Sequence, residues 1–309
     1  MRRRSGIAGL ALLLAAAVCP PLGAQSADRF SEEVSVGYVL VPVAVRSREG
    51  FVRGLELDDF TLRVDGREVA IDSFERAGEA PVRLALLQDL SGSMDLGGKL
   101  EGSRRALDCL LEGARPADRF ALASFAGRRL RVEVPFTGDL SALREAAMAW
   151  QPYGVTALHD AVASIPRIAI SRQAPNAAAV LVTDGVENAS SLAPEEARRV
   201  VRSAKIPVYV LGFGRSAGDE GEAGEPDTYA RVLRRLASFT GGRYFPMEGP
   251  EGVEPACAEI AAETRSRYVL GFATRSEGAS VFREIRVEVG KRSSRVSHRR
   301  GYTGPAPAG

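Results

Sequence analysis

The sequence predicts an α/β fold: a doubly wound, mostly parallel sheet with helices on both faces, inserted into a smaller all-β domain. Three observations predict it. Between residues 81 and 264, near-continuous apolar runs alternate with stretches of helical period, as buried parallel strands alternate with amphipathic crossovers. Over 29–80 and again over 265–302, apolar and polar residues alternate with period two and no helical period, the mark of half-buried strands. The two β segments flank the α/β segment, and domain termini tend to lie close together, so the simplest arrangement pairs them as halves of one domain.

The elements follow in order. Arg2-Arg3-Arg4, the apolar run Ile7–Val18 and the small residues up to Ala24 have the layout of a cleaved secretory signal peptide over 1–24. The apolar run is too short to span a bilayer comfortably. An exported chain, periplasmic or extracellular and not inserted in the membrane after cleavage, is the expectation. Residues 33–47 alternate and are valine-rich, hence a long strand; 60–74 reads as two strands joined at Asp65-Gly66, a hairpin turn pair. VRLALLQD (82–89), AAAVLVTD (177–184) and IPVYVLGFG (206–214) are buried strands. RFALASF (119–125) is another, and RLRVEVPF (129–136) returns antiparallel to it. Apolar spacing predicts helices over 97–113, 139–149, 157–171 with Pro166 inside, 195–205, 227–239 and 250–264, and a short strand at Gly242–Pro246. Residues 215–226 are acidic and glycine-rich, a loop. SRYVLGFAT, FREIRVEVG and SSRVSHRRGY close the β segment, and 303–309 is expected as a disordered tail.

Composition excludes several classes. The 45% apolar and 26% charged residues exclude general disorder. The net charge of +2 lies in the leader: without Arg2, Arg3 and Arg4 the 41 basic residues fall to 38 against 39 acidic. A dedicated nucleic-acid binder would show a strong basic excess. The basic strand around His298, with Lys291, Arg292, Arg295, Arg299 and Arg300, is accordingly read as a solvated, edge-protecting face. Three cysteines without a CxxC do not build a disulfide scaffold, and two histidines leave little for histidine chemistry.

Three polar clusters sit where buried strands end: Asp89-Leu90-Ser91-Gly92-Ser93, Gly154-Val155-Thr156, and Thr183-Asp184-Gly185. In extended chain, side chains two apart point the same way, so Asp89, Ser91 and Ser93 can present a carboxylate and two hydroxyls to one point. Open α/β sheets bind ligands at the carboxyl ends of their strands. Two carboxylates and three hydroxyls, with no nitrogen or sulfur, suit a hard divalent ion. Taken singly, the serines and the threonine also fit helix N-caps and Asp184-Gly185 fits a turn.

The motif D-L-S-G-S (89–93), with G-V-T-A-L-H-D (154–160) and V-T-D-G (182–185), resembles the von Willebrand factor type A domain and its metal-ion-dependent adhesion site. The resemblance covers about 82–264 and implies a Rossmann-like fold. It implies Mg2+, with Mn2+ or Ca2+ as substitutes, held by Asp89, Ser91, Ser93, Thr156 and Asp184, and a protein partner whose Asp or Glu carboxylate completes the coordination. The flanks, Gly54 to Gly66 and Tyr268 to Phe272, resemble an exported bacterial group related to the same domain. In this fold the helices bearing Cys109 and Cys257 lie side by side, which leaves either a disulfide or two buried thiols. The loop before Thr156 borders the metal, so Trp150 and Tyr153 are candidate partner contacts, with core packing the alternative for Trp150. His159 is expected on the helix surface or behind the ligands.

An adhesion or interaction module without enzymatic activity is the expected function. The alternative is an envelope assembly protein whose β domain makes the contacts and whose metal only orders the loops. A D-x-D phosphatase pattern fails at Ser91, and neither histidine is placed to act as a base.

Overall fold

Strands with apolar side chains on both faces must be covered on both faces, and a six-stranded sheet does this at the centre of the molecule. The computed structural model describes residues 37–169, 176–185, 188–193, 196–197, 199–200, 206–214, 228–275, 281–290 and 294–308. The expected leader, the loop 215–226 and most of the helix 195–205 lie outside them, as do Lys291 and Arg292.

In chain order the strands are β1 Gly37–Ser47, β2 Gly50–Phe51, β3 Phe60–Val64, β4 Arg67–Glu68, β5 Ser73–Glu75, β6 Arg83–Asp89, β7 Arg119–Ala126, β8 Arg129–Thr137, β9 Ala177–Thr183, β10 Val208–Phe213, β11 Tyr244–Met247, β12 Arg267–Thr274, β13 Val281–Val289, β14 Arg295–His298 and β15 Gly301–Gly304. The helices are α1 Lys99–Leu111, α2 Leu140–Met148, α3 Leu158–Ala169, α4 Thr228–Thr240 and α5 Val253–Arg265.

The central sheet has the order β11-β10-β9-β6-β7-β8, parallel except for β8, which runs antiparallel to β7. From β6 the chain moves outward through β7 to the β8 edge, then returns to the other side of β6 with β9. The switch point therefore lies between β6 and β9, where doubly wound sheets place their ligands. Helices α1, α2 and α5 cover one face through Leu107, Leu110, Leu143, Cys257 and Ile260, against Leu86, Leu122 and Val180. Helices α3 and α4 cover the other through Leu158, Ile165 and Leu233, against Leu87, Leu181 and Val210. Pro166 lies inside α3.

The remaining strands form two further sheets, β14-β1-β12-β5 with β2 beside β1, and β15-β13-β3-β4. N-terminal and C-terminal strands pair directly: β1 with β12 and β14, β3 with β13, all antiparallel. Val41, Val43 and Val45, with Tyr268, Leu270 and Phe272, meet Leu62, Val64, Ile285 and Val287 in one core. Period-two alternation produces this, because every second side chain reaches the same face. Asp65 (φ 50°) and Gly66 (φ 79°) make the turn from β3 to β4, the left-handed pair that a two-residue hairpin requires. The second arm of that hairpin is only two residues long before the chain leaves for β5, which pairs with β12.

The described residues lie in one compact unit. Glu263 of α5 accepts a hydrogen bond from Tyr209 of β10 at 2.6 Å, and the Arg267 guanidinium of β12 donates to the same tyrosine oxygen. Arg46 of β1 pairs with Glu259 of α5. These contacts tie the central sheet to β1 and β12.

Two expectations change. The tail over 303–309 is ordered as far as Ala308: β15 pairs with β13, Arg275 N–H donates to Ala306 O at 2.9 Å, and Ala308 N–H donates to Ala273 O at 3.0 Å. Tyr302 anchors this end against Phe272, with ring centroids 5.6 Å apart. The basic strand is also not solvated throughout. Arg299 is buried and donates from Nε to Gly301 O at 2.8 Å, and burial lowers its pKa to about 10. His298 is partly buried, its Nε2 accepts from Val287 N–H at 3.3 Å, and burial lowers its pKa.

Candidate functional site

The site is assembled from the C-terminal ends of β6 and β9 and the loop before α3. Strand β6 ends at Asp89, whose Oδ1 accepts the N–H of Ser91 at 2.9 Å. This local bond turns the chain out of the sheet, as short acidic side chains do. Leu90 N–H still follows β7, donating to Phe125 O at 2.8 Å. Ser91 is extended, and Gly92–Asp95 forms a turn of 3-10 helix. The Ser91 and Ser93 hydroxyls then lie 3.2 Å apart.

The second loop is laced to the first. Gly92 N–H donates to Gly154 O at 3.1 Å and Tyr153 N–H to Leu90 O at 2.7 Å. Gly154 has φ +72°, which a side chain would strain, and a Cβ on Gly92 would lie 3.4 Å from Gly154 O. Thr156 is held from both sides: its N–H donates to Asn188 Oδ1 at 2.8 Å, and Asn188 N–H donates to Thr156 O at 3.1 Å. Asp160 of α3 accepts from Ser191 and Leu192 N–H, both at 3.0 Å, fixing the segment that carries Asn188.

At the end of β9, Thr183 Oγ1 donates to Asp89 Oδ2 at 2.6 Å and accepts from Gly185 N–H at 3.0 Å. Asp184 Oδ2 accepts from Lys99 Nζ at 2.9 Å, and the same ammonium donates to Ser93 O at 3.2 Å. Asp89, Ser91 and Thr156 are almost fully buried. Burial pushes the Asp89 carboxyl up to about 6, against the opposing hydrogen bonds from Thr183 and Ser91.

The structure thus brings the Asp89–Ser93 loop, the Thr156 loop and the Thr183–Asp184 strand end to one edge of the sheet. The donor set is all oxygen, the chemistry of a hard divalent cation. The Lys99 ammonium seated on Asp184 shows that the cluster already draws positive charge. Among the described residues, no group of three or more histidine, cysteine or acidic side chains forms a metal cluster, so a cation here depends on the hydroxyls as much as on the carboxylates.

Other candidates fall differently. Tyr153 is 57% exposed, whereas Trp150 is only 4% exposed. Trp150 is therefore not a partner contact: it belongs to the buried core cluster that includes Leu143, Ala147 and Leu90. His159 turns to the segment after β9, its N–H donating to Ser190 Oγ at 2.9 Å and its Nδ1 lying 3.3 Å from Leu192 O. Cys109 and Cys257 are free thiols, not a bridge. Cys109 Sγ donates to Glu254 O at 3.7 Å across the α1–α5 contact, and burial pushes both thiols up. Beside the site, a cavity of about 500 Å³ is lined by Gly127, Arg128, Arg129, Tyr153, Val155 and Ala189.

Sequence reading missed Lys99, Asn188 and Asp160 as parts of the site, and took Thr183 only as motif context. For Lys99 a signal exists, since a lysine opening a helix opposes the helix dipole. For Asn188 no pattern in the chain announces the pairing with Thr156, 32 residues away.

Residues 84–187 match the family model described as von Willebrand factor type A domain. The match lies within the α/β part of the chain. Among solved structures, a von Willebrand factor type A protein from Catenulispora acidiphila is similar at 16% identity and a TM-score of 0.50, covering 88% of this chain and 64% of that one. An aerotolerance-related membrane protein from Bacteroides fragilis is similar at 20% identity and a TM-score of 0.46, covering 59% of this chain and 98% of that one. The domain of the type V pili tip protein Mfa5 from Porphyromonas gingivalis is similar at 14% identity and a TM-score of 0.48, covering 59% and 94%. No curated protein sequence matches the chain. Among the described residues, no helix is long and apolar enough to cross a membrane.

Proposed function

We propose that this chain is an exported, non-enzymatic interaction module in which Asp89, Ser91, Ser93, Thr156 and Asp184 hold a divalent cation, Mg2+ in the first place, for a protein partner carrying an Asp or Glu carboxylate. One observation carries the reading. Two carboxylates and the hydroxyl-bearing loops converge at the switch point of a doubly wound sheet, and a cationic side chain is already drawn onto one of the carboxylates. When bound, the ion supplies a Lewis-acidic position open to an outside oxygen ligand.

The chain's own residues do the rest. Asp89 holds its loop closed through Ser91 N–H and is itself held by Thr183. Asn188 fixes the backbone of Thr156. The exposed Tyr153 and Val155, with Arg128 and Arg129, border the site where a partner would approach. Arginine and tyrosine are the side chains on which interface hot spots are most often built. We further read the α/β part, 81–264, as an insertion between two halves of a β domain, 29–80 and 265–302. The pairing of β1 with β12 and of β3 with β13 supports that division.

The test is a pull-down from the native envelope with wild-type and Asp89→Ala protein, in Mg2+ and in chelator. The reading expects a partner retained by wild type in Mg2+ alone. Equal retention in chelator, or by Asp89→Ala, would show that the contacts lie elsewhere.

A further inference from the structure

We infer that Lys99 is a built-in counter-cation of the site, weakening the hold on the divalent ion while strengthening the site's demand for an outside carboxylate. The inference rests on the metal-site reading proposed above and names a charge that sets its affinities.

Lys99 is the first residue of α1 and follows Gly97 and Gly98, both in the left-handed region (φ 62° and 72°). A lysine at a helix N-terminus faces the positive end of the helix dipole and is unfavourable there. Helix formation therefore does not account for it. Its Nζ instead reaches Asp184 Oδ2 at 2.9 Å and Ser93 O at 3.2 Å, joining the loop after β6 to the end of β9. The Lys99 and Asp184 side chains are 17% and 3% exposed. A pair so withdrawn from water is screened far less than a surface ion pair.

Among the described side chains of this cluster, Asp89 and Asp184 bring two negative charges, and Lys99 leaves the group with one. A divalent ion placed on this set then gives an excess of one positive charge; without Lys99 the set would be neutral. Two consequences of opposite sign follow from Coulomb's law. The ammonium repels the ion, so the metal is held less tightly. The same charge attracts an anion, so a carboxylate adds more tightly once the ion is in place. A lysine serving only to brace the loops would not move these two affinities in opposite directions.

The experiment uses the full chain at pH 7.5 and low salt. Mn2+ and Mg2+ are titrated calorimetrically into wild type, Lys99→Met, Lys99→Gln, Lys99→Arg and Asp89→Ala. Acetate is then titrated into each Mn2+-loaded protein and read from the paramagnetic broadening of its resonance. The expected result is that Lys99→Met and Lys99→Gln bind Mn2+ about tenfold tighter or more and bind acetate several-fold more weakly. Lys99→Arg stays near wild type, because the charge is kept. Two uncharged variants cover the case in which one folds poorly. Unchanged or weaker metal binding in both would overturn the inference, as would tighter metal binding with acetate affinity unchanged. If wild type takes up no Mn2+, or Asp89→Ala takes up as much, the metal-site reading itself fails, a separate outcome.

Discussion

Replacing Asn188 by alanine isolates the support of Thr156 from the ligand set itself. Asn188 Oδ1 accepts the Thr156 N–H at 2.8 Å, and Thr156 is 1% exposed. Alanine removes that acceptor but keeps the reciprocal backbone bond, Asn188 N–H to Thr156 O at 3.1 Å. A buried donor left without a partner costs about 1–3 kcal/mol. Asn188 is itself exposed, so water can reach part of the gap, and about 1–2 kcal/mol is the expected loss of stability. The same loosening of Thr156 should weaken Mn2+ binding by about five- to thirtyfold. Urea unfolding followed by circular dichroism reads the first quantity, and calorimetric titration of Mn2+ reads the second. Stability within about 0.5 kcal/mol of wild type, together with unchanged Mn2+ affinity, would refute the idea that Asn188 positions this threonine.

Further expectations concern the frame around the site. Asp118 is buried and accepts from Val82 and Arg115 N–H at 2.8 and 2.9 Å, with Arg265 at 2.9 Å. Burial alone would raise its carboxyl, but these partners together hold it below the usual carboxylate range. A depressed acid stabilises the fold above its unfolded pKa, about 3.9, and the contribution fades as pH falls through the folded value. Asp118→Asn should thus destabilise at pH 7 by about 2–3 kcal/mol, with the difference shrinking below pH 4; a gap that is constant with pH counts against the ion pair. Trp150→Ala should cost about 3–5 kcal/mol in urea unfolding as a core deletion. Tyr153→Ala should stay within about 0.5 kcal/mol and lose only partner retention; the reverse pattern would place Trp150 at the surface. Native protein should show Cys109 reacting with a maleimide faster than the buried Cys257, and both alkylated after unfolding without reductant. A mass showing neither thiol alkylated would mean a bridge.

Much of the fold was legible because its signals are local. Each buried strand of the central sheet shows as an unbroken apolar run, and Asp65-Gly66 demanded a turn whose backbone angles the structure reproduces. The ends were less legible. Residues 303–308 are small and proline-containing, and their order comes from backbone pairing to β12 and β13, which no local pattern encodes. Trp150 shows the same limit: proximity to Thr156 in sequence said nothing about whether the indole faced the partner or the core. At the site, the five oxygen-bearing residues stood out by type and spacing. Lys99 and Asn188 act across 85 and 32 residues of chain, so their partners appear only after the sheet has brought the strand ends together.

The most direct test of the central claim is a crystal structure grown with Mn2+, with the metal located by its anomalous signal. The account predicts one Mn2+ at the ends of β6 and β9, within about 2.0–2.3 Å of Ser91, Ser93 and Thr156 hydroxyl oxygens, with Asp89 and Asp184 ligating directly or through water. Mn2+ bound elsewhere on the chain, or none at millimolar metal with Lys99 still seated on Asp184, would contradict it.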